Sequence, residues 1–362
     1  MSEIPSAADD TQPFQQTDFE KITQLVKGEF QIQEALLEQG TPTYYLDWPQ
    51  ETKQAFLRIL NHLEEMKLIA FLRKVNGRVV LRVVPKPPVK PSNPRTNVIL
   101  LLATVATTFI TGYISFPNTG INPIVSGAIF SITILMVLGI HEMGHKLTAN
   151  KKKIDATSPY FIPGPPPLGT LGAVIMQKSL PRNRDALFDV GANGPIAGFI
   201  VALVFSAIGL LLLIPAPTPP DANTLSLMPA SWILLARVFS GLNLLPHAPL
   251  NGVLLLHPIT SAGWAGMVVT MLNLLPASML DGGHVARSTL TGNKPRLILT
   301  FASVTLLLLV GTEFMVMAFL IVFMSMFKHP GPLDDVSALS RNRKLLTLAL
   351  VAVFLLAFPV RV

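Results

Sequence analysis

The 362-residue sequence contains no cysteine. Disulfides and thiolate metal sites are therefore excluded, and any metal must be held by His and carboxylate ligands. Charge is scarce too. Asp, Glu, Lys and Arg make up 14% of the chain, against about 25% in a soluble globular protein. The first ten residues, MSEIPSAADD, lack a basic region and an apolar core, so they read neither as a signal peptide nor as an Arg-rich transit peptide. No internal repeat is visible.

The shortage of charge is local. Residues 1–95 have an ordinary soluble composition, and long uncharged runs follow. Uncharged runs of about 20 residues match the thickness of a hydrocarbon core. Asn97–Phe116, Ile121–Ile140, Val190–Ala216 and Ile259–Leu280 are of this kind. Leu297–Thr312 and Phe314–Phe327 are shorter and flank Glu313, and Leu345–Val360 closes the chain. Ser231–Leu256 is apolar but carries Arg237, Pro246 and Pro249, and reads as re-entrant or interfacial. The expected fold is a polytopic α-helical membrane protein of about six to eight spans, with a small N-terminal soluble α/β domain. In order, we expect a disordered tail (1–17), the α/β domain (18–91), a linker (92–96), the membrane core (97–345) and a C-terminal transmembrane helix (346–362).

Within the soluble part, Phe19, Ile22, Leu25 and Val26 recur at helical spacing, and Glu51–Met66 places Phe56, Ile59, Leu60 and Leu63 on one face. Thr43–Trp48 reads as a strand. Leu68–Lys74 and Arg78–Val84 flank Asn76-Gly77, a strong hairpin signal. This domain shows no catalytic constellation, so it is either a regulatory or substrate-gating element or a structural appendage.

The net charge of +7 is better explained by membrane loops than by nucleic acid. Basic residues cluster before the first run, after the second, after the fourth and before the last, and membrane proteins collect Lys and Arg in cytosolic loops. The expected orientation puts the N-terminus and these clusters in the cytosol.

Chemistry concentrates where the second run ends, at Gly139-Ile140-His141-Glu142-Met143-Gly144-His145. Two His four residues apart share a helix face and can bind one metal ion, and the Glu between them can act as base on a water that the metal holds. Neutral imidazoles suit zinc. Three ionisable residues in five beside an apolar run are expensive at membrane depth unless they have a partner or a function. A catalytic zinc also needs a third protein ligand. Asp281 ends the fourth run, on the expected side of the membrane. It is either that ligand or a helix-ending Asp-Gly turn, and matching depth favours the ligand. Leu168–Gln177, after a Pro-rich stretch, reads as a strand. It is either an edge on which an unwound substrate adds as a strand or a structural hairpin.

HEMGH, together with Asn273–Gly282 of form N-x-x-P-x-x-x-x-D-G, resembles the site-2 protease family of intramembrane zinc metalloproteases. Phe161–Gly198 is most similar to its cyanobacterial and chloroplast branch, whose plant members are named for ethylene-dependent gravitropism deficiency and yellow-green leaves. The resemblance spans roughly residues 97–345. It implies an endopeptidase that cuts transmembrane protein substrates within a lipid bilayer, with one Zn2+ per chain. His141, His145 and Asp281 would be its ligands and Glu142 the activator of water. It implies a multi-pass protein of a prokaryotic cell membrane or a thylakoid. Asn273 would either hold the substrate carbonyl or brace a Pro-containing helix. Asn193, Gly169 and Gly172 complete the positions expected to meet substrate, although Gly194 and Gly198 beside Asn193 read first as helix-packing residues. His284 reads as supporting rather than ligating. A metal transporter and an inactive scaffold are the competing functions. Transport needs no base, and a scaffold needs no intact His/Glu/Asp set.

Overall fold

The computed structural model describes residues 16–89, 92–117, 119–216, 227–247, 253–327 and 329–361. Most of the expected tail and residues 248–252 of the expected re-entrant or interfacial segment fall outside that set. The chain forms two compact units. One comprises Met1–Lys90 with Ser179–Leu187 and Pro330–Ser340, and the other comprises Pro91–Lys178, Phe188–His329 and Arg341–Val362. The first unit is thus discontinuous in sequence, where composition alone drew one boundary near residues 92–96.

In the first unit, α1 (Gln16–Glu29) and α2 (Lys53–Glu65) accompany four strands: β1 (Ile32–Glu38), β2 (Thr41–Leu46), β3 (Leu68–Val75) and β4 (Arg78–Pro85). The strands form an antiparallel sheet of order β1-β2-β4-β3. Asn76-Gly77 makes the expected turn between β3 and β4, both residues having positive φ. Gln39-Gly40 does the same between β1 and β2. Phe56, Ile59, Leu60 and Leu63 of α2 pack with Ile22, Val26, Tyr44, Leu72 and Leu81 into one buried core.

The second unit is mainly helical. Its helices are α3 (Pro94–Ser115), α4 (Pro123–Lys151), α5 (from Arg184 in the first unit to Leu211), α6 (Ala230–Gly241), α7 (Pro258–Leu274), α8 (Asp281–Thr289), α9 (Lys294–Val310), α10 (Met315–Ser325) and α11 (Arg341–Ala357). Strands β5 (Tyr160–Pro163) and β6 (Thr170–Val174) pair antiparallel. Helices α3, α4 and α5 are long and apolar enough to cross a membrane. The 12 residues of α6 are too few to do so. The run expected over Ile259–Leu280 is helical only to Leu274, because Pro276 and the positive φ of Ser278 turn the chain. After α9 the chain breaks at Gly311 and returns as α10, which packs against α9.

Small residues let these helices approach. A Cβ on Gly112 of α3 would stand 2.6 Å from the Phe130 Cβ of α4, and one on Gly263 of α7 2.6 Å from the Ser206 hydroxyl of α5. Apolar solvent offers helices no hydrophobic drive to associate, so such close packing supplies the attraction.

Candidate metal centre

Helix α4 continues unbroken from its apolar run through HEMGH to Lys151, so His141 and His145 lie one turn apart on its buried face. Asn122 caps its start, accepting the Ile124 N–H at 2.9 Å, and Pro123 suits the first helical position. The third group comes from the turn after α7. Gly282 and Gly283 let the start of α8 nestle there: Cβ atoms on them would meet the Leu274 and Ser278 carbonyls at 2.1 and 2.3 Å. Asp281 is then the first residue of α8, where the helix dipole favours a carboxylate.

Three donor atoms converge. His145 Nε2 lies 3.2 Å from His141 Nε2 and 3.2 Å from Asp281 Oδ2, and His141 Nε2 lies 3.3 Å from the same oxygen. Ligands at zinc distances of 2.0–2.1 Å in a tetrahedral arrangement are about 3.3–3.4 Å apart. The donors match zinc in kind and in spacing, and His141 and His145 are 2% and 5% exposed.

The tautomer of His145 strengthens this fit. Its Nδ1–H donates to the Val190 carbonyl at 2.6 Å, so in the neutral ring Nε2 carries a lone pair. That lone pair faces a carboxylate oxygen at 3.2 Å. Two acceptors that close repel unless a cation stands among them. A ligand His held through its other ring nitrogen is the usual support of a metal site.

Helix α5 supplies that carbonyl and a flat face. Pro195 lies inside it, where a proline lacks the N–H and crowds the carbonyl four residues back, that of Gly191. A Cβ on Gly194 would fall 2.0 Å from His145 Nε2, and one on Gly198 2.7 Å from His141 Nδ1. Gly191 would meet the Asp281 carbonyl at 2.8 Å. Sequence reading found Gly194 and Gly198 but missed Gly191, Val190 and Pro195. The three-then-four spacing of the glycines along one helix face was the available signal.

Other expected positions are placed as follows. Glu142 is buried, its carboxylate 3.9 Å from His141 Nε2 and hydrogen-bonded to the Ile175 backbone just beyond β6. Asn273 reaches the site, with Nδ2 3.2 Å from His141 Nε2. Asn193 instead donates to the Thr148 hydroxyl at 2.9 Å, one turn beyond His145. Gly169 packs on α3, where its carbonyl accepts from the Thr107 hydroxyl at 2.7 Å. Gly172, in β6 with positive φ, has open space where a Cβ would stand. His284 pairs with His329, Nδ1 to Nε2 at 2.7 Å, and is not among the three converging donors.

Two buried His on an apolar helix and a partly buried Asp, with a second carboxylate beside them, make a candidate metal centre. Residues 129–318 match peptidase family M50, and the chain belongs to that family. It is 34% identical over 206 residues to the probable zinc metalloprotease EGY2, chloroplastic, of Arabidopsis thaliana, a match covering 56% of this chain and 35% of that protein. It is 32% identical over 237 residues to the probable zinc metalloprotease EGY1, chloroplastic, of the same plant, covering 63% and 42%. The chain thus spans well under half the length of these relatives. The site-2 protease from Methanocaldococcus jannaschii aligns over 72% of this chain and 86% of that one, at 19% identity and a TM-score of 0.29.

Proposed function

We propose that the chain is an intramembrane zinc endopeptidase that cleaves transmembrane segments of other proteins. The observation that carries this is the facing of His145 Nε2 and Asp281 Oδ2 at 3.2 Å, with His141 Nε2 completing the triangle and Glu142 alongside. Zinc, when bound there, supplies a Lewis acid that polarises a carbonyl and makes water acidic enough to attack near neutral pH. Glu142 takes the proton of the attacking water and returns it to the leaving nitrogen. A transporter has no use for that proton acceptor. Asn273, whose Nδ2 lies 3.2 Å from His141 Nε2, would hold the scissile carbonyl. The peptide bonds of a substrate helix are hydrogen-bonded internally, so the helix must unwind before attack. β6, with Gly172 open beside it, offers a strand edge to the unwound form.

The spans expected beyond α3, α4 and α5 fall to α7, α9 with α10, and α11. The 17 residues of α7, α9 and α11 make about 25 Å of helix each, near the lower limit for crossing. The basic residues at Lys151–Lys153, Arg182 and Arg184 support an N-terminal unit in the cytosol, or in the stroma if the membrane is a thylakoid.

Glu142→Gln tests the reading. No ligand changes, so zinc should stay at one per chain, while cleavage of a reconstituted substrate helix should fall by about 10²–10⁴-fold. Cleavage within a few-fold of wild type, with zinc retained, would remove Glu142 as the base and with it the protease assignment.

A further inference from the structure

Helices α9 and α10 face outward along most of their length. Ile298, Phe301, Phe319 and Met326 are exposed, and Leu309 and Val316 are each 78% exposed. The inner face of the pair carries Leu307, Phe314, Ala318 and Ile321 into a buried cluster. That cluster also holds Met271 of α7 and, from the turn before Asp281, Leu275 and Ala277. The hairpin therefore flanks the segment that brings Asp281 to the candidate metal centre.

Polar groups mark both ends of this outward surface. Lys294 and Arg296 open α9, and the Arg296 guanidinium donates to the Leu290 carbonyl at 2.7 Å, back toward α8. At the other end the chain breaks at Gly311, and Thr312 and Glu313 follow, both exposed. Arg361 reaches the same level, donating to the Val310 carbonyl at 3.3 Å. Its strand, Pro359–Arg361, pairs with Leu227–Pro229. A lipid-exposed carboxylate or strand edge is expensive in hydrocarbon, so this end lies among the headgroups. Between the two marks, residues 297–310 form an uncharged helical stretch about 21 Å long at 1.5 Å per residue. The return leg, α10, is no longer, at 11 residues. A bilayer core is about 30 Å thick. The uncharged part of α3, residues 96–115, matches it at about 30 Å, with Ile99, Leu102 and Ile110 exposed along it. The same unit thus offers lipid a full-length face and a short one.

We propose that the α9–α10 hairpin holds a strip of thinned bilayer, about 21 Å of hydrocarbon, against the flank of the metal centre. The partner of this surface is lipid, whose acyl chains shorten or tilt to meet the charged ends of the hairpin. On the protease reading above, a substrate helix in this strip has about 9 Å less hydrocarbon to span, so about six of its apolar residues are pressed toward water. Water competes there for the backbone hydrogen bonds that must open before cleavage. That consequence rests on the protease reading, and the strip itself does not.

The chain has no cysteine, so a single introduced cysteine in the full-length protein takes one nitroxide label. Labelled proteins are reconstituted in dioleoylphosphatidylcholine vesicles. Immersion depth is read from collisions with oxygen against collisions with a water-soluble nickel chelate. Thr305→Cys lies midway along the α9 stretch and Ala106→Cys midway along that of α3, both at exposed positions. The expected depths are about 10 Å and about 15 Å, half of each stretch. Phe301→Cys and Leu102→Cys repeat the comparison one turn earlier and decide it if either first variant fails to fold. A label at Thr312→Cys should report headgroups or water. A Thr305 label as deep as the Ala106 label overturns the proposal. So does a Thr312 label in hydrocarbon, because the hairpin would then end inside a bilayer of ordinary thickness. Neither readout involves zinc or cleavage, so failure here and failure of the protease reading are told apart.

Discussion

Helix α2 buries Phe56, Ile59, Leu60 and Leu63 and turns Gln54, Arg58, Asn61 and Glu65 outward. Helix α4 differs on both faces. It buries Ser126, Ser131, Thr133, His141, Glu142, His145 and Thr148 beside the apolar Phe130, Ile134, Val137 and Leu138, and it exposes Ile124, Val125, Ile132, Met136, Ile140 and Leu147. Each helix presents what its solvent accepts. In water the apolar face is driven inward at about 25 cal/mol per Å². In lipid that drive vanishes, while a polar group left facing hydrocarbon costs several kcal/mol, so polar side chains turn toward other helices. The second helix can therefore collect ionisable groups in its interior, and a metal site is one use of such a collection.

The difference was readable in the sequence only in part. The apolar runs, HEMGH and Asn76-Gly77 each carry their signal locally, and α3, α4, β3 and β4 follow from them. Strand β1 was missed because its sequence, IQEALLE, is rich in helix formers; only pairing with β2 through the Gln39-Gly40 turn makes it a strand. Helix α5 begins at Arg184, six residues before its uncharged run, because Asp185 and Asp189 find cationic partners in the fold. The HEMGH pair was legible because both ligands sit on one turn. Val190 was not, since its role depends on a helix 45 residues behind.

The contrast can be tested most severely at Gly194. A methyl group there would stand 2.0 Å from His145 Nε2 and 2.4 Å from two ring carbons. The ring is pinned by Val190 and buried, so it cannot swing aside cheaply. Gly194→Ala should weaken zinc binding by about 10–100-fold, the range seen when support of a metal ligand is lost. Competition with a chromogenic chelator measures it. Zinc affinity equal to wild type would mean that α5 does not press on the imidazole.

A middle-sized effect is expected from ion pairs. Asp189 accepts two bonds from Arg343, both 2.6 Å, and one from Lys152 at 2.7 Å, tying the ends of α4 and α11 to α5. Its side chain is 15% exposed. Asp189→Asn would leave two partly buried cations without a counter-charge, at a cost of about 1–3 kcal/mol, between the limits for exposed and buried pairs. Glu29 and Arg58 form a comparably short pair at 2.7 Å in the N-terminal unit. Glu29→Gln should leave the unfolding midpoint nearly where it is, since exposed pairs contribute little. Arg58 donates to the Glu29 carboxyl and holds its pKa below the ordinary 4.5. What the pair contributes is therefore present at neutral pH and lost as pH falls below that value. Denaturation of both variants at pH 7 and pH 4 would expose the comparison, and equal losses for the two would break it.

The smallest effect reverses the sign. Gly28 lies near the end of α1, exposed, with nothing within 4 Å of a Cβ built on it. Its φ is not among the positive values of the chain, so an L side chain meets no strain there. Alanine at such a position loses less backbone entropy on folding than glycine does. Gly28→Ala should stabilise the N-terminal unit by about 0.5–1 kcal/mol, read as a small upward shift of its denaturation midpoint. The substitution is the same one that cripples position 194. In α1 the methyl group points into water and only the unfolded chain notices it. In α5 the absence of that methyl group is what leaves room for the His145 imidazole. A destabilising Gly28→Ala would show that the end of α1 is packed more tightly than its open surroundings allow.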